Sequence, residues 1–206
     1  MKNLPKNKTK ILGIIFDWGG IFSYSGHPLG QPEIIKKLKT DLDSVNARLA
    51  NASDAFSRGK ITSREYWQTY AKILNLPGYT PQKLRKLYLE YTPNHNMLDI
   101  LKDLSTKHSV GLLSNLNIDM KMKIIKDLGI NKYFKQMIFS NDVGLLKPEP
   151  AIYNLALKAL GLSASETLFV DDTLENVEAA EKLGMRTILF KSEQQCRAEL
   201  KSFKLL

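Results

Sequence analysis

The stretch that decides the fold is Ile11-Leu12-Gly13-Ile14-Ile15-Phe16-Asp17-Trp18-Gly19-Gly20, near the start of a chain of 206 residues. Its first six residues carry no charge and are rich in isoleucine, which predicts a buried β-strand that ends at Asp17. Ligands of open α/β sheets bind at the carboxyl ends of the strands, so Asp17 stands where a functional acid is expected. Gly19 and Gly20 allow a sharp turn that brings backbone amides close to a bound anion.

Four further strands alternate with helices in the second half of the chain. Short apolar segments predict strands over 109–113, 136–139, 167–170 and 186–190. The helix after the first of these is predicted to bury Met122, Ile125 and Leu128 and to stop at Gly129. A later helix is predicted over 148–160, with a proline near its start. Alternation of strands and helices predicts an α/β fold, a doubly wound parallel sheet with helices on both faces.

A helical insert interrupts this pattern directly after the first strand. Helices are predicted over 31–40, 43–57, 62–74 and 81–91. The third begins with a capping box formed by Thr62 and Glu65. We therefore predict an α/β core domain made of residues 1–22 and 95–206, and a helical domain, residues 23–94, that stands over the sheet edge carrying Asp17.

Composition and charge exclude several classes of protein. With 43% hydrophobic and 25% charged residues, the chain is typical of a globular protein with one sizeable core. The apolar run before Asp17 is too short for a signal peptide or a membrane span, so we expect a cytoplasmic protein with no membrane partner. Cys196 is the single cysteine, which excludes an internal disulfide.

The formal net charge of +9 raises the question of a nucleic-acid partner. Part of the excess lies in the end segments, at Lys2, Lys6, Lys8 and Lys10 and at Lys191, Arg197, Lys201 and Lys204. No recognisable nucleic-acid-binding motif accompanies these residues. We therefore expect a basic surface that attracts anionic metabolites, and no nucleic-acid partner. The sequence does not distinguish a monomer from a homodimer.

Polar side chains follow four of the predicted strand ends or lie in the loops just beyond them: Asp17, Ser114 with Asn115, Lys147, and Asp171 with Asp172. In a parallel sheet these groups converge at one edge. Such a set suits phosphoryl transfer to an aspartate, in which Asp17 attacks phosphorus. Ser114, the amide of Asn115 and Lys147 would then hold the phosphate oxygens and stabilise their charge.

Three carboxylates beside a phosphate dianion require more positive charge than Lys147 supplies. Two unit charges 4 Å apart interact by about 1 kcal/mol in water and by about 4 kcal/mol at an effective dielectric of 20. Mg²⁺ accepts carboxylate, water and phosphate oxygens as ligands and offsets this repulsion. Capping the next helix would need one acid only, so the pair Asp171-Asp172 favours a metal site.

These residues resemble the four motifs of the haloacid dehalogenase superfamily of aspartate-nucleophile hydrolases, in order and over nearly the whole chain. Residues 16–20 look like the nucleophile motif, residues 112–115 like the second and residues 144–150 like the third. The fourth is similar to the double-aspartate form and comprises Asp171-Asp172, Asn176, Ala179-Ala180 and Gly184-Met185.

The resemblance implies a Rossmann-like core with a helical cap inserted after the first strand, which closes over the substrate. It also implies that Asp17, the carbonyl of Gly19 and Asp172 bind Mg²⁺, with Asp171 close by and Asn176 in support. Phosphatases of this family carry a second aspartate two residues after the nucleophile as general acid, and here that position is Gly19. Loss of a positioned acid lowers a rate by a factor on the order of 10² to 10⁴.

We therefore predict a Mg²⁺-dependent phosphatase that hydrolyses a small phosphorylated metabolite, such as a sugar phosphate, through an aspartyl-phosphate on Asp17. Two alternatives stay open. The first is a haloacid dehalogenase-type hydrolase, which works without metal. The second is a non-catalytic phosphate-binding or interaction protein that keeps the site without the acid. Water or His27 could supply the missing proton, and four residues of the insert are candidates for substrate selection by position: Tyr24, Arg58, Lys60 and Tyr91.

Overall fold

The computed structural model describes residues 9–25, 27–38 and 41–206. Lys2, Lys6 and Lys8 of the basic amino-terminal segment lie outside these ranges, as does the end of the helix predicted to reach residue 40. Within the described ranges the strands are β1 (Gly13–Phe16), β2 (Ser23–Ser25), β3 (Tyr91–Pro93), β4 (Ser109–Ser114), β5 (Gln136–Phe139), β6 (Thr167–Asp171) and β7 (Arg186–Leu189).

The helices occupy most of the chain between these strands. They are α1 (Pro32–Lys37), α2 (Leu42–Ser57), α3 (Ser63–Leu74), α4 (Pro81–Tyr88), α5 (His95–Ser105), α6 (Ile118–Leu128), α7 (Ser140–Val143), α8 (Pro150–Leu160), α9 (Leu174–Lys182) and α10 (Glu193–Ser202). No helix of the described ranges combines the length and the apolar composition that crossing a membrane requires.

Five of the described strands form one parallel sheet in the order β5-β4-β1-β6-β7. The first strand is therefore central, with Phe16 opposite Leu112 of β4 on one side and opposite Val170 of β6 on the other. Ile14 and Phe16 pack with α5, α6 and α10 on one face, while Ile15 packs with α8 and α9 on the other. The predicted doubly wound parallel sheet is confirmed, and Asp17 follows its central strand.

Helices α1 to α4 lie between β2 and β3 along the chain and pack together as a helical layer. These two strands pair antiparallel, with Ser23 opposite Pro93, and connect the layer to the sheet. The layer buries its own apolar cluster, which includes Ile34, Leu49, Phe56, Trp67, Tyr70 and Leu84. A separate apolar cluster is consistent with the helical domain expected for residues 23–94, and the division into two domains stays a prediction.

Local signals in the sequence fix several helix ends. Thr62 and Glu65 form the predicted capping box at the start of α3. Gly129 and Gly161 take left-handed backbone conformations after α6 and α8, where a residue with a Cβ would be strained.

Other predictions of local structure are wrong. Met122 is 57% exposed, because α6 turns Met120 and Ile124 inward instead. The segment predicted as helix up to residue 91 ends at Tyr88, and Tyr91 belongs to β3. Helix α8 begins at Pro150, two residues later than predicted.

Candidate active site

Asp17 lies at the carboxyl end of the central strand and is 8% exposed. Its backbone N–H donates to the carbonyl of Val170 over 2.9 Å, which extends the pairing of β1 with β6 by one residue. One carboxylate oxygen, Oδ1, accepts a hydrogen bond from Ser114 Oγ at 2.7 Å and lies 2.8 Å from Lys147 Nζ. Two neighbouring segments therefore hold this carboxylate in place.

Lys147 brings a buried positive charge to the site. Its Nζ lies 2.8 Å from Asp17 and 2.6 Å from Asp171 Oδ2. Asn115 holds the lysine backbone from both sides, accepting from its N–H at 2.9 Å and donating to its carbonyl at 2.9 Å. Burial alone would lower the pKa of Lys147, but the charges of Asp17 and Asp171 outweigh it and raise the pKa. The lysine is therefore charged at neutral pH.

Asp171 is fully buried and organises its neighbours. It accepts hydrogen bonds from Lys147 Nζ, from Asn176 Nδ2 at 3.0 and 3.1 Å, and from the backbone N–H of Thr173 at 2.9 Å. Burial raises the pKa of Asp171, and the charge of Asp17 adds to this, while Lys147 opposes it. Since both oxygens of Asp171 already accept hydrogen bonds, the residue orients the lysine and the first turn of α9.

Asp172 is exposed and accepts a hydrogen bond from Thr173 Oγ1 at 3.3 Å. Burial of part of its surface and the charge of Asp17 raise the pKa of Asp172. Carboxylate oxygens of Asp17, Asp171 and Asp172 lie within 4.8 Å of one another. When all three carboxylates are ionised, Lys147, which lies between Asp17 and Asp171, leaves two negative charges uncompensated.

This donor set fits Mg²⁺. The oxygens are hard ligands, and a divalent cation would balance the two uncompensated charges. The turn after Asp17 is shaped to admit Asp172, because a Cβ on Gly20 would lie 1.9 Å from Asp172 Oδ2. The structure thus brings together all the predicted site residues: Asp17, Gly19, Gly20, Ser114, Asn115, Lys147, Asp171 and Asp172.

A cavity of about 460 Å³ opens in front of Asp17. Its volume is in the range of small-ligand pockets. The lining residues are Asp17, Gly19, Ser114, Asn115, Leu116, Lys147, Pro148, Thr173, Glu175 and Asn176. All of them belong to the α/β part of the chain, so within the described residues the cavity wall contains nothing from the helical layer.

The positions proposed for substrate selection have other partners or lie in solvent. Arg58 donates to the carbonyl of Gly144 at 3.0 Å and to Glu149 at 2.5 Å, and Tyr91 OH donates to Asp127 at 3.3 Å. Lys60 is exposed, and Tyr24 is 56% exposed. None of these four described residues lines the cavity around Asp17.

His27, considered above as a proton donor, packs among aromatic rings of the helical layer. Its ring centroid lies 6.2 Å from those of Tyr70 and Tyr88, and its Nδ1 accepts from the backbone N–H of Leu29 at 3.3 Å. The residue as a whole is exposed, and the neighbouring rings that cover part of the imidazole lower the pKa of His27 by desolvation. Like the four positions above, it is not part of the cavity lining described here.

Sequence reasoning missed a supporting residue on α8. Tyr153 is buried and donates its hydroxyl hydrogen to the carbonyl of Asn176 at 3.0 Å, which ties α8 to the residue that holds Asp171. Its place three residues after Pro150, on the sheet-facing side of the helix, equally fits a packing residue. The sequence therefore carries no separate signal for this hydrogen bond.

Comparison with known proteins identifies the class. The model of the haloacid dehalogenase-like hydrolase family matches residues 34–190, and the chain belongs to this family. It is therefore a hydrolase. The matched range begins after Asp17, so the interpretation of that residue rests on its contacts with Ser114 and Lys147.

Relatives with different activities resemble this chain. An (S)-2-haloacid dehalogenase of Pseudomonas putida is 30% identical over 191 residues, which cover 84% of this chain and 82% of the relative. A sesquiterpene phosphatase of Aspergillus oryzae is 27% identical over 184 residues, covering 86% and 88%. A haloacid dehalogenase family enzyme of Bacteroides thetaiotaomicron, solved with magnesium and inorganic phosphate, shares the fold with a TM-score of 0.76 at 22% identity, covering 88% and 94%.

Proposed function

We propose that this protein is a Mg²⁺-dependent phosphatase that hydrolyses a small phosphorylated metabolite through an aspartyl-phosphate on Asp17. One observation carries the proposal: Ser114 and Lys147 hold the Asp17 carboxylate beside two further carboxylates, at the mouth of a cavity. The similarity to a sesquiterpene phosphatase supports it, as does the structural neighbour that was solved with magnesium and phosphate.

Asp17 is the nucleophile in this proposal. An oxygen of its carboxylate attacks phosphorus, a bond forms between that oxygen and phosphorus, and the ester bond from phosphorus to the leaving oxygen breaks. The leaving oxygen takes a proton from water. A second water then attacks the phosphorus of the acyl phosphate, which releases inorganic phosphate and restores Asp17.

Ser114, Asn115 and Lys147 bind the transferring phosphoryl group. Ser114 Oγ and Lys147 Nζ both point at Asp17 Oδ1, so they turn to the phosphate oxygens with small movements once phosphorus approaches. Asn115 contributes by holding the Lys147 backbone. Gly20, predicted to bind the anion through its amide, instead donates its backbone N–H to the carbonyl of Ser23 at 3.0 Å. Asp171 keeps the lysine ammonium in the cavity.

Asp17, Asp172 and the carbonyl of Gly19 are the residues that would hold Mg²⁺. The bound ion would offset the repulsion between the carboxylates and the phosphate dianion. Asp171 lies in the same acidic group, and its donors from Lys147, Asn176 and Thr173 favour an orienting role for it.

The direct test replaces Asp17 with Asn, which keeps the size of the side chain and removes the nucleophilic charge. Hydrolysis of p-nitrophenyl phosphate with Mg²⁺ should disappear, and addition of EDTA to the unchanged protein should abolish it too. An Asp17→Asn protein that melts at the normal temperature and still turns over the substrate rejects this nucleophile.

A haloacid dehalogenase activity is the second candidate, favoured by the relative of Pseudomonas putida and by Gly19 at the position of the acid. It predicts release of halide from a 2-haloacid that persists in EDTA. A third outcome is a phosphate-binding protein without turnover. In that case phosphate or beryllofluoride would raise the melting temperature only with Mg²⁺, and a panel of phosphate esters would remain intact.

A further inference from the structure

Asp119 is a buried carboxylate outside the candidate active site, in the first turn of α6, and is 6% exposed. Its Oδ2 accepts hydrogen bonds from Ser63 Oγ at 2.6 Å and from Trp67 Nε1 at 2.7 Å. Its Oδ1 accepts from Arg85 Nη2 at 3.0 Å. The three donors lie on α3 and α4 of the helical layer, so one carboxylate joins that layer to the sheet side of the molecule.

The same segment of chain reaches the candidate active site. Ser114 and Asn115, at the end of β4, contact Asp17 and Lys147. Two residues further on, Asn117 caps α6 and donates Nδ2 to Tyr88 OH of the helical layer at 2.8 Å. Residues 114–119 therefore touch the nucleophile at one end and the helical layer at the other.

A second attachment involves the loop that carries Lys147. Arg58 binds Gly144 and Glu149 of this loop, as described above. In α7, Ser140 Oγ donates to the carbonyl of Ser57 at 2.7 Å, and Asn141 Nδ2 donates to that of Phe56 at 3.1 Å. The helical layer is thus bonded to both of the loops that supply phosphate-binding groups.

Asp119 differs from the other attachment groups because it is a buried charge with three donors. Hydrogen bonds to a charged acceptor are about twice as strong as those between neutral groups. Removing the charge would leave Trp67 Nε1 and Ser63 Oγ facing a weaker acceptor in a buried position.

We propose that Asp119 is a positioning residue that fastens the helical layer to residues 114–119 and thereby fixes the layer beside the mouth of the cavity. The attachment is separate from the phosphoryl-binding groups, since Asp119 touches neither Asp17 nor Lys147 in the contacts given above. Loss of the charge should loosen the layer and leave the binding of inorganic phosphate unchanged. The attachment itself does not depend on which reaction the cavity supports.

The experiment compares Asp119→Asn with Asp99→Asn in the full chain, using native-state hydrogen exchange. Asp99 is an exposed acid on α5 paired with Lys102 at 2.7 Å, so the chemical change is matched and the attachment is untouched. Asp119→Asn should speed exchange about tenfold, in peptides of α3 and α4 and of the first turn of α6 together. Exchange in β6 should not change, and Asp99→Asn should resemble the unchanged protein.

Trp67→Phe provides a second variant that keeps the aromatic ring and removes one donor. It should speed exchange in the same peptides by a smaller factor. Because both changes act on one attachment, the double variant should exchange no faster than Asp119→Asn alone. Additive effects, faster exchange in one layer only, or an equal effect of Asp99→Asn would each overturn the proposal.

Kinetics separate this role from general damage to the fold, if the phosphatase proposal holds. Because Leu116, which precedes the cap of α6, lines the cavity, the KM for p-nitrophenyl phosphate in Asp119→Asn should rise about tenfold, while inhibition by inorganic phosphate stays within about twofold. Equal losses for the ester and for phosphate would mean that the phosphoryl site itself has been damaged and would reject the positioning role. If no ester is hydrolysed, the exchange measurements alone decide.

Discussion

The carboxylate of Asp172 occupies the space in which a side chain at Gly20 would begin. A Cβ built on Gly20 would lie 1.9 Å from Asp172 Oδ2 and 2.7 Å from its Cγ. The backbone of Gly20 also has φ of +68°, a conformation that residues with a Cβ rarely adopt. The turn after Asp17 and the end of β6 therefore fit together only with glycine at this position.

Gly20→Ala should displace Asp172 and weaken the binding of Mg²⁺ at the proposed metal site. The matched control is Gly78→Ala, because Gly78 has φ of +79° and no atom within 4 Å of its built Cβ. Both variants carry backbone strain of order 1 kcal/mol, seen in urea unfolding. Only Gly20→Ala should raise the Mg²⁺ concentration needed for half-maximal turnover. Equal Mg²⁺ requirements in the two variants would contradict the inference that the close packing of Gly20 against Asp172 shapes the metal site.

Lys147→Met should abolish activity and lower the free energy of unfolding. The variant leaves Asp17 and Asp171 buried without the cation between them, and breaking a buried pair in this way destabilises a protein by about 3–5 kcal/mol. Urea unfolding in EDTA measures this loss. Lys102→Met removes the exposed partner of Asp99 and should change stability little. A similar, small change in both variants would show that Lys147 is not held as a charged group.

Gly19→Asp tests whether a proton donor is missing beside Asp17, the proposed nucleophile. A Cβ on Gly19 would meet only Asp17 Oδ2, at 3.8 Å, which is an ordinary contact, so the backbone has room for a Cβ at this position. A positioned acid speeds departure of poor leaving groups by a factor on the order of 10² or more. Turnover of an alkyl phosphate should therefore rise more than that of p-nitrophenyl phosphate. An equal effect on both esters would mean that the new acid does not protonate the leaving oxygen.

The contribution of Asp119 to stability should depend on pH. Burial alone would raise the pKa of Asp119, but hydrogen bonds from Arg85, Ser63 and Trp67 outweigh it and lower the pKa. A carboxyl whose pKa is lowered in the folded state stabilises the fold fully at pH values above its unfolded pKa, which is about 3.9. It loses that contribution as the pH falls through its folded pKa.

Asp119→Asn should therefore lower the free energy of unfolding by about 1–3 kcal/mol at neutral pH. The difference from the unchanged protein should shrink as the pH falls below about 4, the usual pKa of an unfolded aspartate, and through the lower pKa of Asp119 in the folded protein. Urea unfolding of both proteins across this range measures it. A difference that grows as the pH falls would have the wrong sign for this carboxylate.

Much of the fold follows from local signals in the sequence. Each predicted strand of the sheet is present, because buried parallel strands need short apolar segments and the chain supplies one for each strand. The predicted convergence at the sheet edge also follows from topology, since parallel strands put Asp17, Ser114 and Asp171 at the same end. Helix limits marked by a glycine or a capping box are accurate for the same local reason.

Features decided by distant partners were not predictable in this way. Two overlapping apolar stripes run along α6, and only packing selects Met120 and Ile124 over Met122. Strands β2 and β3 have three residues each and contain serine, threonine and proline, so they carry no apolar alternation. The burial of Asp119 depends on hydrogen-bond donors from α3 and α4, and the sequence around residue 119 does not predict these partners.

The central position of β1 has a consequence for how the protein matures. Its two neighbours, β4 and β6, lie in the second half of the chain. During synthesis β1 therefore cannot pair on both sides until β6 has been made. Pairing of strands so distant along the chain slows folding. A polypeptide that stops before β6 lacks Asp171 and one side of the sheet. The rate at which phosphatase activity returns during refolding would therefore report the rate at which the complete five-stranded sheet forms.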